Sequence, residues 1–207
     1  MNIIASSLPR VAFWLVPGEP ARATLQNLIT DLAIRFSAPR LIPHVTVYSC
    51  RRSPSQKELA VAAALARHCA PLVLRTQGLD FGDRLTRACY VRLAADTRLQ
   101  RLRKSLHDAL PRTPEETFEP HLSLLYQLLS ARDRAKLAEE ISLPCREIAF
   151  DQFWAVAIPE SMHTTENLTG WQTLFNCRLD SDKKIDKIQV GAFAQESLKN
   201  NGHRRQD

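Results

Sequence analysis

The chain has 207 residues and a mass of 23.4 kDa, is 44% hydrophobic and 24% charged, and carries a net charge of +6 with an isoelectric point near 9.3. That composition excludes a disordered chain and large multidomain schemes, and it suits one globular domain or two closely joined lobes. The basic balance favours anionic partners without naming a chemistry. Five widely spaced cysteines contain no C-x-x-C pair, the start lacks a basic segment before an apolar run, and no stretch nears the roughly 18 apolar residues of a membrane helix. The expectation is a cytoplasmic protein with reduced thiols, not attached to a membrane.

In chain order, Val11 to Val16 reads as a buried strand stopped by Pro17-Gly18-Glu19-Pro20. Leu25, Leu28, Ile29, Leu32, Ala33 and Phe36 then form one helical stripe that Pro39 closes. A strand over about 45–50 follows His44. Pro54 and Ser55 open an alanine-rich helix carrying Leu59, Ala62, Leu65, Ala66 and Cys69. Strands are predicted over 72–76 and 89–93, flanking the turn-rich stretch from Gly78 to Thr86. Leu99, Leu102, Leu106, Ala109 and Leu110 mark another amphipathic helix, ended by Pro111 to Pro114. A second histidine strand runs over 122–126, a helix over about 131–141, and long strands over 148–158 and 171–179.

Two of these segments are near copies. Pro43-His44-Val45-Thr46-Val47 and Pro120-His121-Leu122-Ser123-Leu124 each place a hydroxyl two residues after a histidine, so imidazole and hydroxyl share a strand face. The offset is 121 minus 44, or 77, and the same shift lays Leu25 on Leu102 and the strand near Ala12 on Cys89. An internal β-α-β-α repeat results. The expected fold is α+β and bilobal: two pseudo-twofold-related β-α-β-α repeats, largely antiparallel sheets, and a central cleft carrying both H-x-[ST] motifs. Residues 1–180 are read as that single domain and 181–207 as a polar, flexible tail.

Two imidazoles on opposite sides of a phosphorus atom supply a base and an acid, and Thr46 and Ser123 supply donors to its non-bridging oxygens. Metal binding fits less well. Neither motif has an acidic neighbour on the histidine face, and His68, His107, His163 and His203 form no ligand spacing. Tyr48, four residues after His44, falls on the histidine face by alternation and is a candidate to line the cleft. Tyr126, five after His121, falls on the opposite face unless a bulge or a strand end intervenes. Arg84 and Arg87 read as surface charge near the hairpin.

These motifs, with Phe13-Trp14-Leu15-Val16-Pro17, the continuation to Leu125-Tyr126, and Leu168-Thr169-Gly170-Trp171, resemble the two-histidine (2H) phosphoesterase superfamily, in particular its 2',3'-cyclic phosphodiesterase-like branch. The resemblance covers about 11–179. It implies His44 and His121 as catalytic residues, Thr46, Ser123 and Tyr126 as phosphate contacts, and Trp14 as an aromatic near the nucleotide. It also implies a substrate that is a nucleoside 2',3'-cyclic phosphate or ADP-ribose 1'',2''-cyclic phosphate, opened to the 2'- or 1''-phosphomonoester without metal or cofactor. Within the same superfamily the alternatives are a cyclic phosphodiesterase on RNA ends and a 2'-5' RNA ligase. Outside it, the alternative is a non-catalytic module that binds RNA or a nucleotide. Oligomeric state is left open, with a monomer favoured.

Overall fold

A computed structural model describes residues 10–50, 52–111, 117–158 and 170–180. The polar tail from Ser181, His163 and His203, and Leu168 and Thr169 lie outside the described residues.

Among the described residues, seven strands and four helices follow in the order β1 (Arg10–Pro17), α1 (Ala21–Arg35), β2 (Val45–Cys50), α2 (Gln56–Arg67), β3 (Leu72–Phe81), β4 (Cys89–Leu93), α3 (Thr97–Ala109), β5 (His121–Leu125), α4 (Ala131–Glu140), β6 (Glu147–Ile158) and β7 (Gln172–Arg178). A 3-10 turn at Leu85–Arg87 precedes β4. Local chemistry sets the helix starts. Ser55 and Glu58 form a reciprocal capping box on α2, Asp96 accepts from the Arg98 and Leu99 amides at the start of α3, and Ser130 caps α4.

The repeat is longer than the β-α-β-α unit read from the sequence. Adding 77 to β3 lands on 149–158, inside β6, so each half is β-α-β-α-β and β7 is an addition. The stretch expected as a turn after Thr76 instead continues β3 to Phe81. Its register steps between Thr76 and Leu79, where Gly78 takes a φ of 103°, a conformation costly for any residue with a Cβ.

Every strand pairing described is antiparallel. The order β1-β2-β5-β4-β3-β6-β7, with a further β1–β6 pairing, joins six strands in a closed circuit. β6 spans both halves: Glu147 to Phe150 pair with β3, while Phe150 to Ile158 pair with β1. On the other side of the circuit, β2 and β5 touch through one residue pair, Val45 and Leu122. The lobes are therefore tied firmly through β6 and lightly through β2 and β5.

The helices cross between halves, α1 packing on β5 and α3 on β2. Beneath them lies the main core, where alternate β1 residues Val11, Phe13 and Leu15 meet Leu25, Ile29, Leu99, Leu106 and Phe153. The intervening residues Ala12, Trp14 and Val16 form a second apolar cluster with Val156, Ile158, Trp154 and Trp171 on the other face. A strand buried on both faces reads as an unbroken apolar run, which is the pattern of β1. The five cysteines are free thiols, and among the described residues no helix is long and apolar enough to cross a membrane.

Candidate active site

The single pair between β2 and β5 sets the site. With Val45 opposite Leu122 in an antiparallel register, the flanking positions put His44 across from Ser123 and Thr46 across from His121. Val45 and Leu122 enter the main core, so the four polar side chains share the other face.

Each imidazole is held the same way. His44 Nδ1 lies 2.6 Å from the Ile42 carbonyl, and His121 Nδ1 lies 2.9 Å from the Glu119 carbonyl. A carbonyl only accepts, so Nδ1–H donates in both and Nε2 is left as the free nitrogen. Both carbonyls belong to the residue before a proline, Pro43 or Pro120. Proline holds that preceding residue extended.

The surroundings then differ. His44 is 5% exposed, with its ring stacked on Trp14 at 3.8 Å and met edge-on by Trp171 at 6.1 Å. Burial, with the like charge of His121 adding and the Ile42 carbonyl opposing, lowers its pKa to about 4. His121 is more open. The edge of Tyr90 meets it at 5.4 Å, and burial, with the Arg87 guanidinium adding, sets its pKa below the ordinary histidine value.

The hydroxyls are placed by a shared irregularity. In β2, Phe13 pairs with Tyr48 but Trp14 with Thr46, leaving Val47 extra; in β5, Cys89 pairs with Leu125 but Tyr90 with Ser123, leaving Leu124 extra. Val47 plus 77 is Leu124, so both halves carry the same bulge, and beyond it the alternation of faces is reversed. This corrects the placement of Tyr48. Its hydroxyl donates to the Pro111 carbonyl at 2.9 Å, its ring meets His107, and it sits in the main core rather than on the histidine face.

The same step brings Tyr126 toward the site. The Tyr126 ring lies 6.1 Å from Trp171, and burial, with the nearby Ser123 side chain opposing, pushes its pKa up to about 12. Ser123 Oγ donates to the Thr86 carbonyl at 2.9 Å. Thr46 is half-buried on the shared face.

Three neighbours were not singled out as site residues from the sequence. Tyr90 pairs with Ser123 as Trp14 pairs with Thr46, so each half sets an aromatic across from the hydroxyl and against the histidine. A strict shift of 77 sends Trp14 to Val91 and hides this, because the β4–β5 register differs by one residue from that of β1–β2. Arg87, read as surface charge, lies over Tyr90 at 4.5 Å and pairs with Glu119 at 2.7 Å. Trp171, quoted in a motif without a role, meets Trp14, His44 and Tyr126. Among the described residues, no group of three or more His, Cys, Asp or Glu side chains is gathered to hold a metal ion.

Comparison with known proteins supplies the family. The model of the 2'-5' RNA ligase superfamily matches residues 16–155, which is 140 of 207 residues. Among solved structures, the fold is similar to TT0787 of Thermus thermophilus, at 19% identity and a TM-score of 0.56 over 84% of this chain and 100% of that one. It is also similar to E. coli LigT in apo form, at 16% identity and 0.54 over 84% and 98%. LigT complexed with 3'-AMP gives 15% identity and 0.52 over 84% and 99%. A search of curated proteins gave no significant match. Because the matched region spans more than half of the chain and contains both histidine strands, the chain belongs to the 2'-5' RNA ligase superfamily of two-histidine phosphoesterases.

Proposed function

We propose that the protein is a phosphodiesterase that opens a 2',3'-cyclic phosphate on a ribose by two-histidine acid–base catalysis, without metal or cofactor. The observation that carries this reading is the β2–β5 register, which gathers His44, Thr46, His121 and Ser123 on one face. Two bare Nε2 atoms and two hydroxyls are the groups an in-line displacement at phosphorus needs. The 3'-AMP in the LigT complex supports a ribonucleotide substrate for this chain as well. ADP-ribose 1'',2''-cyclic phosphate presents the same chemistry on a different ring.

In the reaction, water attacks phosphorus opposite the leaving ribose oxygen and gives its proton to one imidazole. The P–O bond to that oxygen breaks as the other imidazole donates its proton, leaving a 2'-phosphomonoester. Thr46 and Ser123 hold the non-bridging oxygens as charge builds on them. Ser123 turns from the Thr86 carbonyl to do so, with Tyr126 behind it. His44, whose pKa is lowered to about 4, starts neutral and is the base in this reading. The more open His121 takes up the proton that it later donates, helped by the anionic substrate between the two rings.

The test is hydrolysis of 2',3'-cyclic mononucleotides in excess chelator, by the parent and by His44→Ala and His121→Ala. Turnover in the parent and losses of at least a hundredfold in both variants are expected, from the usual 10²–10⁴-fold worth of a positioned acid or base. Turnover unchanged in either variant would sink the two-histidine mechanism. Nucleotide binding with no turnover in the parent would favour a binding module instead.

A further inference from the structure

The turn before β4 meets the site at three points. The Thr86 carbonyl accepts from Ser123, the Arg87 guanidinium lies 4.5 Å over the ring of Tyr90, and Arg87 Nη2 lies 2.7 Å from Oε2 of Glu119. Tyr90 and Glu119 are themselves neighbours of His121. The phenol meets the imidazole edge-on at 5.4 Å, and the Glu119 carbonyl accepts from Nδ1. A guanidinium and a carboxylate thus stand together beside the more open histidine. Both charges are felt there, Arg87 lowering the His121 pKa and Glu119 raising it, with Arg87 the larger of the two.

Two features set this pair apart from a plain surface ion pair. Arg87 Nε is buried without a hydrogen-bond partner, and a buried donor left open is costly until something accepts from it. The second is the charge a phosphate brings. The hydroxyls of Thr46 and Ser123 are neutral, and both imidazoles titrate below their ordinary value, so a fixed cation is wanted beside them. Arg92 is the other cation to consider, lying across from His121 in the β4–β5 ladder. It is engaged instead by Asp80 at 3.5 Å and by the Gln77 carbonyl at 3.4 Å, and its charge is not among those that move the His121 pKa.

We propose that Arg87 is the cation that receives the phosphate and that Glu119 tempers it, so that the site favours a singly charged cyclic diester over the doubly charged monoester it becomes. The assignment rests on the cyclic-phosphate reading and adds to it how product leaves. Opening the ring turns one negative charge into nearly two, since a phosphomonoester loses its second proton near pH 6. Arg87 Nε donates to a non-bridging oxygen while Nη2 stays with Glu119, and the carboxylate repels the added charge. An Arg87 without Glu119 would hold the product. The Glu119 side chain is 62% exposed, so solvent limits the effect to a few-fold.

The experiment measures, at pH 7.5, KM for 2',3'-cyclic AMP and the inhibition constant of 2'-AMP in the parent, Glu119→Gln, Arg87→Met and Arg87→Lys. Both free imidazoles are mostly neutral and the monoester mostly dianionic at that pH, so the pair is the charge that changes. Glu119→Gln keeps the carbonyl on His121 and should tighten 2'-AMP about fivefold. A carboxylate repels two charges about twice as strongly as one, so the cyclic diester should gain half as much on a logarithmic scale, about twofold. Misfolding cannot tighten binding, which keeps this arm decisive. Arg87→Met should weaken 2'-AMP at least tenfold, and Arg87→Lys should recover most of that loss. Product affinity unchanged in Glu119→Gln, or equal gains on monoester and diester, would overturn the assignment. If the parent opens no cyclic phosphate, the cyclic-phosphate reading fails, and the pair is then judged by calorimetric binding of 2'-AMP. Tightening in Glu119→Gln with weakening in Arg87→Met upholds it, and an affinity that neither change moves refutes it.

Discussion

Acid should loosen this fold through His44 in particular. Its pKa falls from 6.5 to about 4 because the ring is sealed against Trp14 and Trp171. The unfolded chain takes up a proton first as pH drops below 6.5, so the stability held above that pH is lost progressively down to about pH 4. A shift of about 2.5 units at about 1.4 kcal/mol each corresponds to roughly 3 kcal/mol in full, and to about 2.5 kcal/mol by pH 4.5. His44→Asn removes the titration while its amide can still donate to the Ile42 carbonyl. Urea melts of parent and variant at pH 7.0 and 4.5 isolate the effect, since every other group, His121 included, cancels. With m of about 2 kcal/mol/M, the parent's midpoint should fall about 1 M further than the variant's. Equal falls in both proteins would mean that His44 is not held neutral by burial.

The pH dependence of kcat/KM should be bell-shaped with its maximum below 6.5, because both imidazoles titrate below their ordinary value and one must be neutral while the other is protonated; a maximum above pH 7 contradicts this. Trp14→Ala should cost about 3–5 kcal/mol as a buried large-to-small change, and should move the His44 titration, followed by NMR, up toward 6.5. Gly82→Ala builds a Cβ 2.5 Å from the Arg87 carbonyl, in the turn whose Thr86 carbonyl receives Ser123, so kcat/KM should fall at least tenfold. Gly78→Ala meets no atom within 4 Å but has a φ of 103°, so a melt should show roughly 1–2 kcal/mol lost with activity kept.

His44, Thr46, His121 and Ser123 are legible in the sequence because alternation within a strand and the 77-residue offset are both read along the chain and need no knowledge of pairing. Element bounds follow for the same reason: apolar stripes, Ser55, Asp96 and Ser130 mark most of them within a residue or two. Bulges leave no such trace. Val47 and Leu124 are ordinary strand residues, yet they decide that Tyr48 faces the core and Tyr126 the site. Tyr90 stays hidden behind a one-residue difference in register, and Trp171 behind contacts drawn from β1 and β5, far away in sequence.

The aromatic partners explain how a duplicated strand yields an unsymmetrical pair. A strict twofold would give both imidazoles the same surroundings and the same pKa, and neither would be a better base than the other. Here the ladder matches hydroxyl to aromatic in both halves, but the aromatic is an indole lying flat on His44 and a phenol turned edge-on to His121. A stacked indole with Trp171 above it excludes water from His44. The edge of Tyr90, with Arg87 over its face, leaves His121 partly open. The proton therefore has a preferred home before any substrate arrives: it is kept off His44 and is taken up more readily by His121. Giving both histidines the same kind of aromatic partner, as in Trp14→Tyr, should bring the two titrations closer together in NMR. If the separation between them stays as it is in the parent, the asymmetry comes from somewhere other than the aromatic partners.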